Sequence, residues 1–305
     1  MKLYIQTPML ESRELNQLMQ AQVYFKIESV QPSGSFKNRG IGHMCQTLAK
    51  QGASSFVSSS GGNAGLAVAY SGRMLNLPVT VVVPETTPLF MRHKIAAEGA
   101  QVQVHGSTWD EADQLARKIA AEGASYISPF DHPLIWAGHA TLIEEISQSG
   151  IVPDVILLAV GGGGLFCGIV EGLRAVGWHH VPIMTAETAG AASFAKSLAA
   201  GRIITLDSIQ TVARSLGAKT IAATAFQYAQ EHPTLPCIVS DKQALAACRR
   251  FAGQERILVE PACGAALALL YEGLVPDSFK NIAVIVCGGC GVSLELLQQW
   301  QSQLK

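Results

Sequence analysis

The stretch VILLAVGGGGLFCGIVEGLRAV, residues 155–176, decides the fold. Its first six residues, Val155–Val160, are all apolar, which is typical of a strand buried on both faces of a sheet. Four consecutive glycines follow, and Leu165–Val176 then places apolar residues at helical spacing. The stretch therefore predicts a buried parallel strand, a glycine turn and a helix that covers the sheet.

The same alternation of short apolar runs and helical segments continues on both sides of this stretch. The other predicted strands are Ser55–Ser59, Val79–Val83, Gln101–Val104, Val181–Ala186 and Ile282–Val286. The other predicted helices are Lys37–Lys50, Gly61–Leu75, Pro88–Glu98, Trp109–Ala121, Asp241–Ala252, Ala262–Tyr271 and Leu294–Gln301. Such alternation predicts an α/β fold with parallel sheets covered by helices on both faces. Ligands of such sheets bind beyond the carboxyl ends of the strands.

Length and composition indicate a folded protein of about two domains. Of the 305 residues, 49% are hydrophobic and 15% are charged, so a large apolar core is available. No long linker separates the two halves, and Pro129–Leu134 is the only turn-rich break. We therefore expect two intimately packed lobes, with a binding site in the cleft between them.

Charge and cysteine usage exclude several classes of protein. The net charge of −1 gives no broad basic surface for nucleic acid or an anionic membrane. No run approaches the ~18 apolar residues of a membrane helix, and Met1–Glu11 lacks the layout of a signal peptide. The seven cysteines stand among apolar neighbours, which is typical of reduced thiols. We expect a cytoplasmic protein that binds neither nucleic acid nor membranes.

The first candidate functional loop is Ser33-Gly34-Ser35-Phe36-Lys37, at the start of the predicted helix Lys37–Lys50. A lysine at a helix start faces the positive end of the helix dipole, and partial burial lowers its pKa further. Both effects favour a neutral amine that can form an imine. A solvated surface lysine is the alternative that this loop alone leaves open.

The second loop, Ser58-Ser59-Ser60-Gly61-Gly62-Asn63-Ala64-Gly65, directly follows a predicted strand. Its hydroxyls and the Asn63 amide can hydrogen-bond a ligand, and its glycines allow the ligand to approach the backbone closely. Taken alone, the loop also fits a strand-to-helix turn with Ser or Asn capping.

The third loop is Gly161–Gly164. Consecutive bare amides at a helix N-terminus suit a phosphate dianion, and four glycines cost much conformational entropy for a merely structural turn. A dinucleotide-binding turn is the rival interpretation, because the acidic residue Glu187 ends the next strand. However, a Gly-x-Gly-x-x-Gly register would require glycine at Phe166 or Cys167.

Together, the three loops resemble those of the fold-type II pyridoxal phosphate (PLP) enzymes, and in particular the vertebrate-type L-serine dehydratases with their dehydratase-like branch. The matching motifs lie in the family's order along essentially the whole chain. They are Gln31–Lys37, Ser59–Gly65, Pro133–Trp136, Gly161–Leu165, Glu231–Pro233, Ile257–Ala266 and Val286–Gly289. The resemblance implies a two-domain α/β fold like that of the tryptophan synthase β subunit, with the active site in the interdomain cleft. It implies a large domain of residues 1–30 and 132–305, and a small domain of residues 31–131.

The resemblance also implies a role for individual residues. It implies that Lys37 is the lysine that binds PLP covalently, and that Lys37 and Ser60 are catalytic residues. The implied contacts of the cofactor are Phe36, Lys37, Asn63, Gly161, Gly162, Gly163, Gly164, Ser215 and Cys287. The implied contacts of the substrate are Ser60, Gly61, Asn63 and Ala64. The implied ligands of a monovalent cation, K⁺ or Na⁺, are Gly161, Glu187, Ala191, Ser193, Leu216 and Ala218. Oxygen ligands of this kind suit a hard cation.

Two positions depart from the family pattern. Many members have alanine at the position of Gly61, although the dehydratase-like branch has glycine, and alanine usually stands at the position of Ser215. Because Gly61 lacks a methyl group, we expect extra space beside the substrate, room for threonine, and slower turnover of serine.

The function implied by the resemblance is the removal of water from L-serine, with L-threonine as a second substrate. The products would be pyruvate or 2-oxobutanoate, together with ammonia. Another lyase, a racemase or a β-replacement enzyme of the same fold stays open as an alternative. Two further alternatives lie outside PLP chemistry: a nicotinamide oxidoreductase and a non-catalytic binding homologue. The resemblance further implies a homodimer. The sequence ends at Lys305 without the regulatory domain of biosynthetic threonine deaminases, so we expect a role in amino-acid catabolism.

Overall fold

Two sheets organise the chain, and the computed structural model describes residues 2–304. The strands are β1 (Met9–Glu11), β2 (Gln22–Ile27), β3 (Phe56–Ser58), β4 (Val79–Val83), β5 (Gln101–Val104), β6 (Ser125–Tyr126), β7 (Val155–Ala159), β8 (Ile183–Thr188), β9 (Thr234–Val239) and β10 (Asn281–Val286). The helices are α1 (Arg13–Met19), α2 (Lys37–Lys50), α3 (Asn63–Leu75), α4 (Leu89–Ala97), α5 (Trp109–Ala121), α6 (Pro133–Gln148), α7 (Gly164–Ala175), α8 (Ser193–Ala200), α9 (Ala223–Glu231), α10 (Asp241–Glu255), α11 (Pro261–Tyr271) and α12 (Leu294–Gln303).

Unit 1 consists of Gln31–His139 and the amino-terminal residues up to Ile5. Its sheet has the order β5-β4-β3-β6, and all three strand pairs are parallel. Helix α5 packs on this sheet through a small apolar cluster that includes Val57, Val82, Ala112 and Ala116. The helix begins at a capping box, in which Thr108 and Glu111 satisfy backbone amides that the first turn leaves without partners.

Unit 2 consists of Gln6–Val30 and the chain from Ala140 onward. Its six-stranded sheet has the order β1-β2-β10-β7-β8-β9, in which β1 pairs antiparallel with β2 and the other pairs are parallel. Helix α11 starts with Pro261 at a position where the missing N–H costs nothing, and every residue from Pro261 to Leu270 is buried. A helix that is apolar all round belongs to a core, which is where α11 lies.

The predicted α/β fold is confirmed, and each predicted strand and helix is present with bounds that shift by at most three residues. The antiparallel strand β1 was not predicted, and neither were β2, β6, β9 and four helices. Strand β6 has only two residues, and β9 contains Pro236 and is half exposed at the sheet edge, so neither carries the pattern of a buried strand. The domain bounds implied by the family resemblance stay a prediction. Among the described residues, no helix combines the length and apolarity needed to span a bilayer.

Candidate active site

Lys37 is the first residue of α2, as predicted, and a tethered turn holds it there. The Ser33 backbone amide and hydroxyl both donate to Asn38 Oδ1, at 2.7 and 2.5 Å, and Asn38 Nδ2 donates to the Leu3 carbonyl at 3.3 Å. The Lys37 side chain is half-buried, and its Nζ donates to the carbonyl oxygen of Pro129. The turn therefore presents a lysine amine in a fixed, partly desolvated position.

His139 lies against this turn and was not singled out from the sequence. It is fully buried, and its ring centroid is 4.8 Å from that of Phe36. A Cβ atom at Gly40 would lie 2.6 Å from His139 Cε1, so the two residues are in close contact. Burial, then Lys37 and Arg39, lower the pKa of His139 well below its usual value, so the imidazole is neutral. A single histidine within the apolar part of α6 is the sequence signal that could have identified it.

The serine loop lies between β3 and α3, as predicted. Ser59 is fully buried, and the Ser60 hydroxyl accepts a hydrogen bond from the Gly62 amide at 3.3 Å. A Cβ atom at Gly65 would lie 1.7 Å from the Ser60 carbonyl oxygen, so only glycine allows this close approach. Asn63 and Ala64 open α3 and are buried.

The expectation of extra space beside Gly61 is wrong. The place that a Cβ atom would take at Gly61 is filled by Thr87, whose Oγ1 and Cγ2 atoms would lie 2.5 and 2.6 Å away. Thr87 is itself buried. Glycine at position 61 therefore accommodates the Thr87 side chain rather than enlarging a substrate pocket.

The glycine loop precedes α7, as predicted, and Gly163 is the residue immediately before the helix. Its φ of 96° is in the left-handed region, which favours glycine. The Gly162 carbonyl accepts a hydrogen bond from the Ala222 amide at 3.0 Å, which ties the loop to the start of α9. The first amides of α7 have no partner within the helix, so the loop has the donors that an anion requires.

The loop also lies close to a second predicted segment, the 3₁₀-helix Arg214–Leu216. A Cβ atom at Gly161 would lie 3.0 Å from the Ser215 carbonyl oxygen and 3.2 Å from Leu216 Cα. The structure therefore places Ser215 and Leu216 beside the glycine loop.

Three of the predicted cation ligands, Glu187, Ser193 and Ala218, make hydrogen bonds at the start of α8. The buried Glu187 carboxylate accepts hydrogen bonds from the Phe194 and Ala195 amides, at 2.9 and 2.7 Å. The Ser193 hydroxyl donates to the Ala218 carbonyl at 2.8 Å. Burial raises the pKa of Glu187 to about 7, against the lowering effect of the two amides. Ala191 ends the 3₁₀-helix Ala189–Ala191, two residues before Ser193.

Cys287 follows β10 and is a buried, free thiol. A hydrogen bond with the Cys263 side chain and burial raise its pKa well above the usual value, so it stays a neutral thiol. Cys290, three residues further on, is also buried. Within residues 2–304, no group of three or more His, Cys, Asp or Glu side chains is arranged to hold a metal ion.

The predicted site residues therefore form two groups, one in each unit. The unit 1 group contains Phe36, Lys37, Ser60, Gly61, Asn63 and Ala64. The unit 2 group contains Gly161–Gly164, Glu187, Ala191, Ser193, Ser215, Leu216, Ala218 and Cys287. The first group has the Lys37 amine and the Ser60 hydroxyl, which suit reaction chemistry, and the second has backbone amides and carbonyls that suit ion binding.

A comparison with known proteins agrees with this chemistry. Residues 1–288 match the family described as pyridoxal-phosphate dependent enzyme. The chain belongs to that family. Among members of this PLP family, the mouse protein named serine dehydratase-like is 50% identical over 309 residues, which cover 98% of this chain and 94% of the mouse protein. The human L-serine dehydratase/L-threonine deaminase is 47% identical over 314 residues, which cover 99% and 96% of the two chains.

A solved structure extends the similarity to the fold. The L-serine ammonia-lyase from the fungus Rhizomucor miehei matches with a TM-score of 0.95 at 35% identity, over 100% of both chains. The resemblance to PLP enzymes of the serine dehydratase type, inferred from the three loops, is confirmed.

Proposed function

We propose that this protein is a PLP-dependent dehydratase that converts L-serine to pyruvate and ammonia, and L-threonine to 2-oxobutanoate and ammonia. The observation that carries the proposal is the full-length similarity to proteins named for these activities, together with Lys37 at the start of α2. The proposal includes a small amino-acid substrate, a cytoplasmic location and a homodimer. The seven free cysteines support a reducing compartment.

The residues present fit PLP. Bare amides at the start of α7 suit the phosphate, and Gly163 has a backbone conformation that other residues rarely adopt. In our proposal, Gly161–Gly164 hold the phosphate, Lys37 holds the cofactor covalently, and Cys287 faces the pyridine nitrogen. Phe36, Asn63 and Ser215 complete the contacts with the ring.

When bound, PLP supplies a sink for the electrons of the broken Cα–H bond. Lys37 Nζ would be the base that accepts the α-proton of the substrate. Ser60 and the first amides of α3 hold the substrate carboxylate, so that the Cα–H bond faces the lysine. The neutral Cys287 thiol donates only a weak hydrogen bond, so it does not protonate the ring nitrogen.

We also propose a monovalent cation beside Glu187, with Ser193 and the carbonyls of Gly161, Ala191, Leu216 and Ala218 as the other ligands. The set supplies only oxygen atoms, which suits K⁺ or Na⁺. Burial of the Glu187 carboxylate is unfavourable for its ionised form, and a bound cation would offset that cost.

Purified protein with added PLP tests the proposal. We expect a visible absorption band, pyruvate from L-serine in a coupled assay, and a borohydride label on Lys37 in peptide mapping. A label on another lysine would remove Lys37 from the site. Formation of D-serine without pyruvate would favour the racemase alternative, and absence of the band would exclude PLP chemistry.

A further inference from the structure

A buried carboxylate lies directly behind the serine loop. Asp113 is on α5 and is only 7% exposed. Its Oδ1 accepts hydrogen bonds from the Ser59 hydroxyl, at 2.6 Å, and from the Tyr126 hydroxyl. Its Oδ2 accepts from Arg117 Nε at 2.7 Å, and the Arg117 guanidinium lies 4.5 Å from the Tyr126 ring centroid. Three donors from three different elements therefore meet on one carboxylate.

The carboxylate is ionised at neutral pH. Burial alone would raise the Asp113 pKa, but the hydrogen bonds from Ser59, Tyr126 and Arg117 outweigh it, and the pKa is lowered. Tyr126 keeps its proton, because burial and the neighbouring Asp113 raise its pKa to about 12. Hydrogen bonds to an ionised acceptor are roughly twice as strong as neutral ones. The buried, ionised Asp113 carboxylate therefore restrains the side chains of Ser59, Tyr126 and Arg117 that donate to it.

These contacts fix the point at which the chain leaves β3. Tyr126 belongs to β6, which pairs with β3 in the register Val57 to Tyr126. The Ser58 hydroxyl donates to the Ile127 carbonyl at 3.2 Å. Hydrogen bonds therefore hold the side chains of both Ser58 and Ser59. These two residues directly precede Ser60, so they set where the serine loop begins.

We propose that Asp113 is a positioning residue, which sets the orientation of the Ser60–Asn63 loop toward the substrate carboxylate through its hydrogen bond with Ser59. This inference rests on the proposed function, because it assumes that the loop binds an amino-acid carboxylate. In this proposal Asp113 acts through its hydrogen bond with Ser59 and not by contact with substrate or cofactor.

The test compares Asp113→Asn with Asp110→Asn, the same chemical change at an exposed position of α5. Both are measured as PLP-loaded enzymes with L-serine. For Asp113→Asn we expect KM to rise and kcat/KM to fall by about 10-fold or more, because a charged hydrogen bond is lost and the loop moves. The PLP concentration that half-saturates the visible band should change less than KM does, because Lys37 and the glycine loop hold the cofactor and only Asn63 belongs to the displaced loop. Asp110→Asn should match the wild type in both measurements.

The double variant Ser59→Ala/Asp113→Asn shows whether the two residues act as a unit. If they do, its kcat/KM equals that of Asp113→Asn alone, and additive losses would overturn the proposal. Equal kcat/KM for Asp113→Asn and Asp110→Asn would also overturn it. If Asp113→Asn fails to fold, Ser59→Ala removes the same hydrogen bond while Asp113 keeps its bonds with Tyr126 and Arg117. The same loss of kcat/KM is then expected, and an unchanged value would overturn the proposal.

Hydrogen exchange separates this inference from the proposed function. Amides of residues 59–65 should exchange faster in Asp113→Asn than in Asp110→Asn, with no substrate present. If exchange is faster in Asp113→Asn but the wild type does not convert serine, the positioning role of Asp113 would be supported and the proposed function would be rejected. Equal exchange in Asp113→Asn and Asp110→Asn would reject the positioning role of Asp113, whether or not the protein converts serine.

Discussion

The two groups of site residues differ in whether side-chain atoms or backbone atoms are proposed to bind the ligand. In unit 1, side chains act and other side chains hold them, as Asp113 holds Ser59 and His139 contacts Phe36. In unit 2, the proposed phosphate site is built from the main chain, and the close contacts of Gly161 and Gly163 leave no room for side chains in that loop. The effect of an overpacked side chain in unit 1 should therefore be relieved by a second substitution that removes the neighbour it displaces. Added atoms in the glycine loop should block binding outright.

The largest effect is expected for Lys37→Ala. Turnover of serine should be abolished, because one amine serves as covalent anchor and as base. The fold should be intact, as measured by circular dichroism. Lys50→Ala, at the exposed end of the same helix, is the matched control and should keep full activity. Residual activity in Lys37→Ala above that of the protein-free reaction would contradict the assignment.

Gly163→Ala tests the main-chain group. The added Cβ would lie 2.4 Å from that of Ala225 at a φ of 96°, so the loop must shift away from its phosphate-binding form. We expect the dissociation constant for PLP to rise by about 10-fold or more, as measured by titration of the visible band. Gly177→Ala adds a methyl at a φ of 78° with no atom within 4 Å. It should cost about 1 kcal/mol of unfolding free energy and leave PLP affinity unchanged. Equal PLP affinity in the two variants would show that loop shape is not what binds the cofactor.

Gly61→Ala tests the side-chain group, and the close contact with Thr87 reverses the expectation drawn from the sequence. We expect kcat/KM for serine to fall by about 10-fold, because overpacking displaces the serine loop. Gly61→Ala/Thr87→Ala should recover most of the loss, since removal of the Thr87 hydroxyl and methyl makes room for the new methyl. A single variant that turns over serine faster than the wild type would restore the idea of an open pocket.

The cation proposal predicts a smaller change. Turnover should be higher in potassium buffer than in a buffer whose only cation is bulky and organic, because the organic cation cannot enter a small oxygen cage. Glu187→Gln should respond less to potassium than the wild type does. An equal rate of the wild type in both buffers would remove Glu187 and Ser193 from the list of ligands.

The smallest effect concerns pH and stability. Because the folded-state pKa of Asp113 is lowered, its contribution to stability is present above the ordinary aspartate pKa of about 3.9 and is lost as the pH falls further. The unfolding free energy of the wild type should therefore exceed that of Asp113→Asn at neutral pH, and the gap should close in acid. Urea unfolding at a series of pH values measures the gap, and a constant gap would contradict an ionised Asp113.

The sequence predicted those parts of the site that depend on local pattern. Lys37 at the start of α2 and the glycines before α7 follow from helix starts and strand ends, which a few neighbouring residues determine. Thr87 and Asp113 could not be predicted, because their contacts join segments far apart in the chain. Strand β9 was missed for a similar reason, since an edge strand with a proline lacks the apolar run of a central strand.

The cysteines provide the chain with built-in reporters of local opening. Cys45 is the only cysteine of the chain in unit 1, and the other six are in unit 2. Burial raises the pKa of Cys45, and it does the same for Cys248, so neither thiol forms the reactive thiolate in the native state. The rate at which Cys45 is alkylated should therefore depend only on how often unit 1 opens to expose it. Cys237 is only half-buried, so the comparison is between Cys45 and Cys248. Mass spectrometry of partly alkylated protein would show which of these two thiols is modified first, and therefore which unit unfolds first.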